Sequence, residues 1–245
     1  MSEGFDSTQC PMFGSLGTRP IPRVGVHGLI AALALMLGLS ACGGSNDGDE
    51  STKINGSIHV PAGRPPAAVA TVNGSIHIDD NAAVTSATTV NGSVHLGDHA
   101  TATSLSSVNG SIVLGTGAHV SGSVSSVNGE LTLGDGADVS GSLSNVNGPI
   151  SLTAAHVGGG IKTLNGSMNI TGASRVEGGI LVEKPSGDLL QMVRDVPRIV
   201  IGPGATVQGE LRFKRTVRLF VSDKATIGTV SGATPIPFSG ETPPT

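Results

Sequence analysis

One dipeptide step constrains this chain more than any other feature. Asn-Gly recurs at Asn55, Asn73, Asn91, Asn109, Asn128, Asn147 and Asn165, at spacings of 18, 18, 18, 19, 19 and 18. Around each step the pattern is apolar-Asn-Gly-x-apolar-x-apolar, as in Val72-Asn73-Gly74-Ser75-Ile76-His77-Ile78. Seven near-identical units at near-constant spacing mark a repeat architecture, in which each unit buries its apolar face only against its neighbours. A shorter period lies inside the unit: Val72, Ile78, Val84, Val90, Leu96, Ala102, Val108, Leu114 and Val120 are six apart. A helix would need a period of 3.6, and frequent glycine weakens it. A hairpin array would alternate in twos without a break at each sixth residue.

The pattern therefore predicts an all-β fold: a three-sided parallel β-helix (β-solenoid) with about 18 residues per coil over residues 54–182. Inward Val, Ile, Leu and Ala stack on their equivalents. Asn and Gly are expected at a corner because both tolerate left-handed backbone, and Asn at one register predicts a ladder of side-chain amides. From Asn109 to Asn147 each coil carries one extra residue, with Val120 to Val127 and Val139 to Val146 seven apart, which predicts a bulge at one corner. Composition agrees. With no Trp, no Tyr and 37 Gly among 245 residues, the core must be built from small aliphatic side chains. A net charge of −4 gives no ground for a nucleic-acid partner.

The N-terminus carries an export signal. Residues 28–41 read GLIAALALMLGLSA without a charge, after Arg19, Arg23 and His27. A basic flank, a short apolar stretch and a small-residue exit predict a signal peptide over 1–41, too short to span a ~30 Å hydrocarbon core. Met12 offers an alternative start. The exit Leu39-Ser40-Ala41-Cys42 resembles the lipobox of bacterial lipoproteins. That resemblance implies cleavage before Cys42 and acylation of its thiol. It also implies a membrane partner through the lipid anchor. Gly43, where Asp would favour the inner membrane, implies the outer membrane, facing periplasm or cell surface. Residues 42–53 then hold the lipidated Cys and a flexible tether. Cys10 leaves with the signal and Cys42 is consumed, so the mature chain is expected to have neither a disulfide nor a catalytic thiol.

Toward the C-terminus, residues 183–198 interrupt the period and are expected as a loop or one short helix. Residues 199–232 resume it as one or two further coils or a cap. Residues 233–245, with four prolines, are expected to be loose. Ile201-Gly202-Pro203-Gly204-Ala205-Thr206-Val207, continuing through Gln208-Gly209-Glu210-Leu211, resembles the bactofilins, polymer-forming bacterial β-helix proteins. The Val-Asn-Gly-Ser-Ile units resemble an adhesin-like β-strand-repeat family of unassigned function. Together these likenesses cover residues 54–182 and 199–213 and imply fold more than function.

His59, His77 and His95 share one register, eighteen apart, and should form an outward column; Asp80 and Asp98 share a register nearby. Stacked imidazoles beside carboxylates make these three histidines the candidate ligands for a transition metal. A hexapeptide-type acyltransferase with a His base is a less favoured reading of the same column. Asp135 and Asp138 faintly resemble calcium-binding nonapeptide repeats, whose Asp and Gly periodicity the neighbouring Thr116 and His119 break. Arg212, Lys214, Arg215 and Arg218 either form a patch for anionic lipid or glycan, or line a solvated strand whose inward partners are Leu211, Phe213 and Val217. No catalytic or nucleotide-binding motif is present, so no enzyme activity and no cofactor is expected. The expected function is a lipid-anchored envelope rod with a structural or adhesin-like role, its partner an envelope glycan or surface polymer. The alternative is a bactofilin-like scaffold that self-associates end to end. Pro61, Pro65 and Pro66 are expected to block the first coil against such stacking.

Overall fold

A computed structural model describes residues 51–184 and 196–244. The predicted signal peptide, the lipobox Leu39, Ser40 and Ala41, Cys42, most of the tether and residues 185–195 of the predicted loop or helix lie outside the described residues.

The solenoid is there, with ten coils. Ile58–Val60, Ile76–Ile78, Val94–Leu96, Ile112–Leu114, Leu131–Leu133, Ile150–Thr153, Met168–Thr171, Arg198–Ile201, Arg218–Ser222 and Pro235–Phe238 pair in that order into one ten-stranded sheet. Every pairing is parallel and joins equivalent positions of successive coils, as in Ile76 with Val94 and Val94 with Ile112. The remaining strands form a second, branched sheet of sixteen. In it Thr101–Asn109 pairs on one side with Ala83–Asn91, and on the other with both His119–Val120 and Val124–Asn128. One long strand per early coil thus becomes two short ones in later coils. The chain already turns within the long strand: Val84 and Ala87 both point inward although three residues apart. From Val120 to Val124 the gap is four. The extra residue of the 19-residue coils therefore sits at Ser121-Gly122-Ser123, the predicted bulge. A Cβ on Gly141 would lie 2.5 Å from the Gly122 carbonyl oxygen, so the stacked corner admits only glycine there.

Six side chains per coil point inward, two from each side. In one coil they are Val94, Leu96, Ala100, Ala102, Leu105 and Ser107, all buried. Each full burial of a Val, Leu or Ile contributes about 1.5–3 kcal/mol, repeated down the stack. The six-residue period of the sequence mixes two faces, and here the expectation is corrected. Ile78, Val84, Leu96, Ala102, Leu114 and Val120 are core, but Val72, Val90 and Val108 face outward, half-buried. The inward residue before each of these valines is polar: Thr71, Thr89, Ser107, and in later coils Ser126, Asn145 and Thr163. In all but Thr163, whose Oγ1 accepts the Gly166 N–H, the reason is the carbonyl the side chain meets. Thr71 Oγ1 donates to Gly56 O at 3.1 Å, Thr89 Oγ1 to Gly74 O at 3.0 Å and Ser107 Oγ to Gly92 O at 3.1 Å. An apolar side chain there would leave a buried acceptor without that donor.

The Asn-Gly corner is also built differently from expectation. Gly74, Gly92 and Gly110 do not adopt positive φ; they are glycine because a Cβ would lie 2.0–2.3 Å from the carbonyl oxygen of the preceding corner. Gly56 (φ 108°) and Gly148 (140°) of that corner do take positive φ, but the αL residues Asn81 (φ 59°), His99 (55°), Gly117 (63°), Gly136 (66°) and Ala154 (47°) occupy a different corner.

Residues 198–234 wind two further coils, and Pro235–Phe238 of the supposedly loose tail adds a last strand to the ten-stranded sheet. Phe238 packs with Val200 and Phe220 on the outer face of the ten-stranded sheet, and that apolar contact fixes the tail. Pro61, Pro65 and Pro66 lie between strands of the first coil. In the last strand, an open edge that also holds Pro237, stands Pro235. In earlier coils its equivalents donate their N–H to the next coil, as Ile76 to Ser93 O and Ile150 to Ser167 O, both at 2.9 Å. Pro235 has no such hydrogen to offer an eleventh coil.

Candidate functional site

His59, His77 and His95 are the middle residues of three successive three-residue strands whose outer two members are core. Alternation along a strand turns all three imidazoles outward. Register pairs them directly, so the rings stack: centroids are 5.6 Å apart for His59 and His77 and 4.9 Å for His77 and His95, with interplanar angles of 12° and 3°.

The carboxylate that meets this column is Asp79. It follows the strand Ile76–Ile78, with its N–H bonded to Val60 O at 3.0 Å and its carbonyl accepting the Ala82 N–H at 3.1 Å. So held, its carboxylate reaches two coils: Oδ2 lies 3.0 Å from His59 Nε2 and Oδ1 3.5 Å from His77 Nε2. His59, His77 and Asp79 are the one group of three metal-ligating side chains among the described residues whose donor atoms all lie within 4.8 Å of one another. The sequence-derived trio is thus corrected: His95 stacks on His77 but lies outside the cluster, because Gly97 takes the place of Asp79 in the next coil. Asp80 and Asp98 have another task. Asp80 Oδ1 accepts the Asp98 N–H at 2.8 Å and Asp98 Oδ1 the Thr116 N–H at 2.7 Å, tying one corner to the next.

A second column lies on another side of the solenoid. His119, Asp138, His156 and Arg175 occupy one register. Asp138 accepts from both histidines, Oδ2 lying 2.6 Å from His119 Nδ1 and Oδ1 in short contact with His156 Nδ1. Glu177 continues the chain, 3.4 Å from His156 Nε2 and 3.3 Å from Arg175 Nε. Burial pushes the Asp138 carboxyl upward, but the hydrogen bonds from His156 and His119 outweigh it and hold the group below the ordinary aspartate value. Asp138 thus spends its carboxylate on imidazoles. Spacings of 19 and 18 between residues 119, 138 and 156 carried this signal in the sequence.

The seven Asn residues form a continuous ladder. Each Nδ2 donates to the Oδ1 one coil back, from Asn73 to Asn55 at 3.0 Å through to Asn165 to Asn147 at 2.7 Å. The four C-terminal cations do not pool into a patch. Arg212 Nη2 meets Glu210 Oε2 at 2.7 Å, Lys214 Nζ meets Glu183 Oε2 at 3.0 Å and Arg215 reaches Asn165. Arg218 lies over the Phe220 ring at 5.3 Å. Leu211 and Phe213 are buried beneath them, as the strand reading expected, with Val217 half-buried against the core.

A groove of about 580 Å³ runs where the tail crosses the ten-stranded sheet, lined by Ser151, Asn169, Arg198 and Glu241 among others. No protein-family model matches this chain, and no curated protein or solved structure matches it either. What the structure shows is a parallel β-solenoid.

Proposed function

We propose that the chain is an exported, lipid-anchored rod of the cell envelope with a structural or adhesin-like binding role. The observation that best supports this is the unbroken stacking of ten parallel coils, roughly 43 Å at ~4.8 Å per step. A rod of this kind presents extended faces of short side chains, such as the outward column Thr88, Ser106, Ser125 and Ser144. Faces of that form suit a repetitive surface or polymer, an envelope glycan among them, better than a single small substrate. The histidines stand on an open sheet face, with His59 and His77 side chains 62% and 52% exposed, which is a poor setting for an acyl-transfer base. End-to-end polymerisation is the second reading, and Pro235 at the terminal edge counts against it.

Incorporation of labelled palmitate into the wild type and Cys42→Ala, followed by envelope fractionation, tests the anchor. The wild type should be labelled and sediment with outer membrane, and the variant should be unlabelled. An unlabelled wild type in the cytosolic fraction would overturn the proposal. Protease added to intact cells then separates a surface-exposed rod from a periplasmic one.

A further inference from the structure

The geometry points to a binding site for a divalent transition-metal ion, of zinc-like preference, made by His59, His77 and Asp79. This inference is independent of the rod's role in the envelope. Two imidazole nitrogens and one carboxylate oxygen are the borderline donors that such ions take, with bonds of about 2.0–2.2 Å. A tetrahedral ion with bonds of that length holds its ligand atoms about 3.3 Å apart. The distances from Asp79 to His59 and His77, 3.0 and 3.5 Å, bracket that value. The remaining adjustment is a closer approach of the two Nε2 atoms, and both rings are exposed enough to turn. For each ring the Nε2 proton moves to Nδ1, which frees the Nε2 lone pair for the ion.

Three further observations support the site. First, its positions are held by the backbone: His59, on the edge strand of the ten-stranded sheet, is paired in register with His77, and the Asp79 backbone is fixed by bonds to Val60 and Ala82. Ligands on rigid elements lose little entropy on binding. Second, carboxylates adjoin the site: Asp80 and Asp98 lie at the neighbouring corners, set against Arg64, which lines one cavity with His59. Third, the site is made once. The residues equivalent to Asp79 in the flanking coils are Pro61, Gly97 and Gly115. A repeated histidine therefore becomes a single site because one carboxylate breaks the repeat. The other histidine column does not qualify, since the donor atoms of His119, Asp138 and His156 do not all lie within 4.8 Å of one another.

The test uses the full chain carrying Cys10→Ser and Cys42→Ser, so that thiols do not compete, stripped with chelator and titrated with Zn²⁺ by calorimetry. One ion per chain is expected. His77→Ala and Asp79→Asn should each weaken binding at least about tenfold, a loss seen even for outer-shell partners. His95→Ala and Asp138→Asn should leave it unchanged. Far-UV circular dichroism confirms that each variant keeps its sheet. Cu²⁺ bound to the unsubstituted site should show nitrogen hyperfine splitting from two imidazoles. Absence of stoichiometric binding, binding that survives loss of both His77 and Asp79, or a Cu²⁺ spectrum without nitrogen would overturn the assignment.

Discussion

Arg215 donates a guanidinium N–H to the side-chain oxygen of Asn165, the last member of a seven-amide ladder that begins at Asn55. All the amides point the same way, so the ladder ends on an acceptor oxygen, and a cation sits there. A second bond from Arg215 Nη1 to Leu164 O, at 3.2 Å, holds the group against the corner. Burial lowers the Arg215 pKa from its ordinary value, yet arginine remains charged throughout the physiological range. Arg215→Ala should destabilise the solenoid by about 1.5–3 kcal/mol, the range for a hydrogen bond to a charged group. Urea unfolding with an unchanged m-value would check it. Arg215→Lys should recover part of the loss, because lysine supplies the charge without the planar fork.

The ladder itself makes a graded prediction. Asn109 both donates to Asn91 and accepts from Asn128, each at 2.9 Å, whereas Asn55 only accepts, from Asn73. Each such exposed bond contributes about 0.5–1 kcal/mol. Asn109→Ala should therefore cost roughly twice what Asn55→Ala costs. Equal losses at the two positions, measured by thermal or urea midpoint, would show that the amides do not act through the ladder.

The polar residues of the core make a sharper one. Thr89 is fully buried and donates to Gly74 O, while Val90 beside it faces outward. Thr89→Val keeps shape but orphans the acceptor, and should cost about 1–3 kcal/mol. Val90→Thr should lie within about 0.5 kcal/mol of wild type, as surface substitutions do. The reverse order would mean that the valine, not the threonine, faces the core.

These positions show what the sequence disclosed and what it hid. Period and spacing revealed the coil, its length, the amide ladder and the histidine column, because each follows from stacking equivalent residues. They did not reveal that Val72, Val90 and Val108 face outward. A half-buried outer face tolerates valine as readily as a core does, and the threonine or serine beside it reads as polar until the carbonyl it satisfies is in view. Asp79 was missed because it occurs once, and repeat analysis searches for what recurs. The strand at Pro235–Phe238 was masked by its prolines, which disfavour a central strand but suit a terminal one.

Glycine substitutions separate the two reasons for glycine in this fold. A Cβ on Gly74 would stand 2.3 Å from the Gly56 carbonyl oxygen, a backbone atom with no freedom to retreat. Gly74→Ala should therefore displace a corner and lower stability by about 3 kcal/mol or more, among the largest single-site effects. Gly136 has positive φ (66°) but nothing within 3.8 Å of an added Cβ, and its equivalent one coil on, Ala154, already carries a methyl group at φ 47°. Gly136→Ala should cost only the left-handed backbone penalty, about 1–2 kcal/mol. Thermal midpoints of the two variants would rank them.

The histidine pair on Asp138 predicts how the solenoid responds to acid. Burial raises the Asp138 carboxyl in the folded state, but its bonds to His156 and His119 outweigh that and hold it below the ordinary aspartate value. A depressed carboxylate pKa stabilises the fold at pH values above the unfolded pKa, and this contribution disappears as pH falls through the folded value. All three side chains are about a third or more exposed, so solvent screening limits the effect to about 0.5–1 kcal/mol. Wild type should therefore exceed Asp138→Asn by that amount at pH 5, and the gap should close as pH falls through the lowered folded-state value and the carboxylate becomes protonated. Urea midpoints of the two proteins from pH 2.5 to 6 give the difference directly. A gap that persisted unchanged at the acid end would show that the column is held by packing of its rings and not by the charge on Asp138.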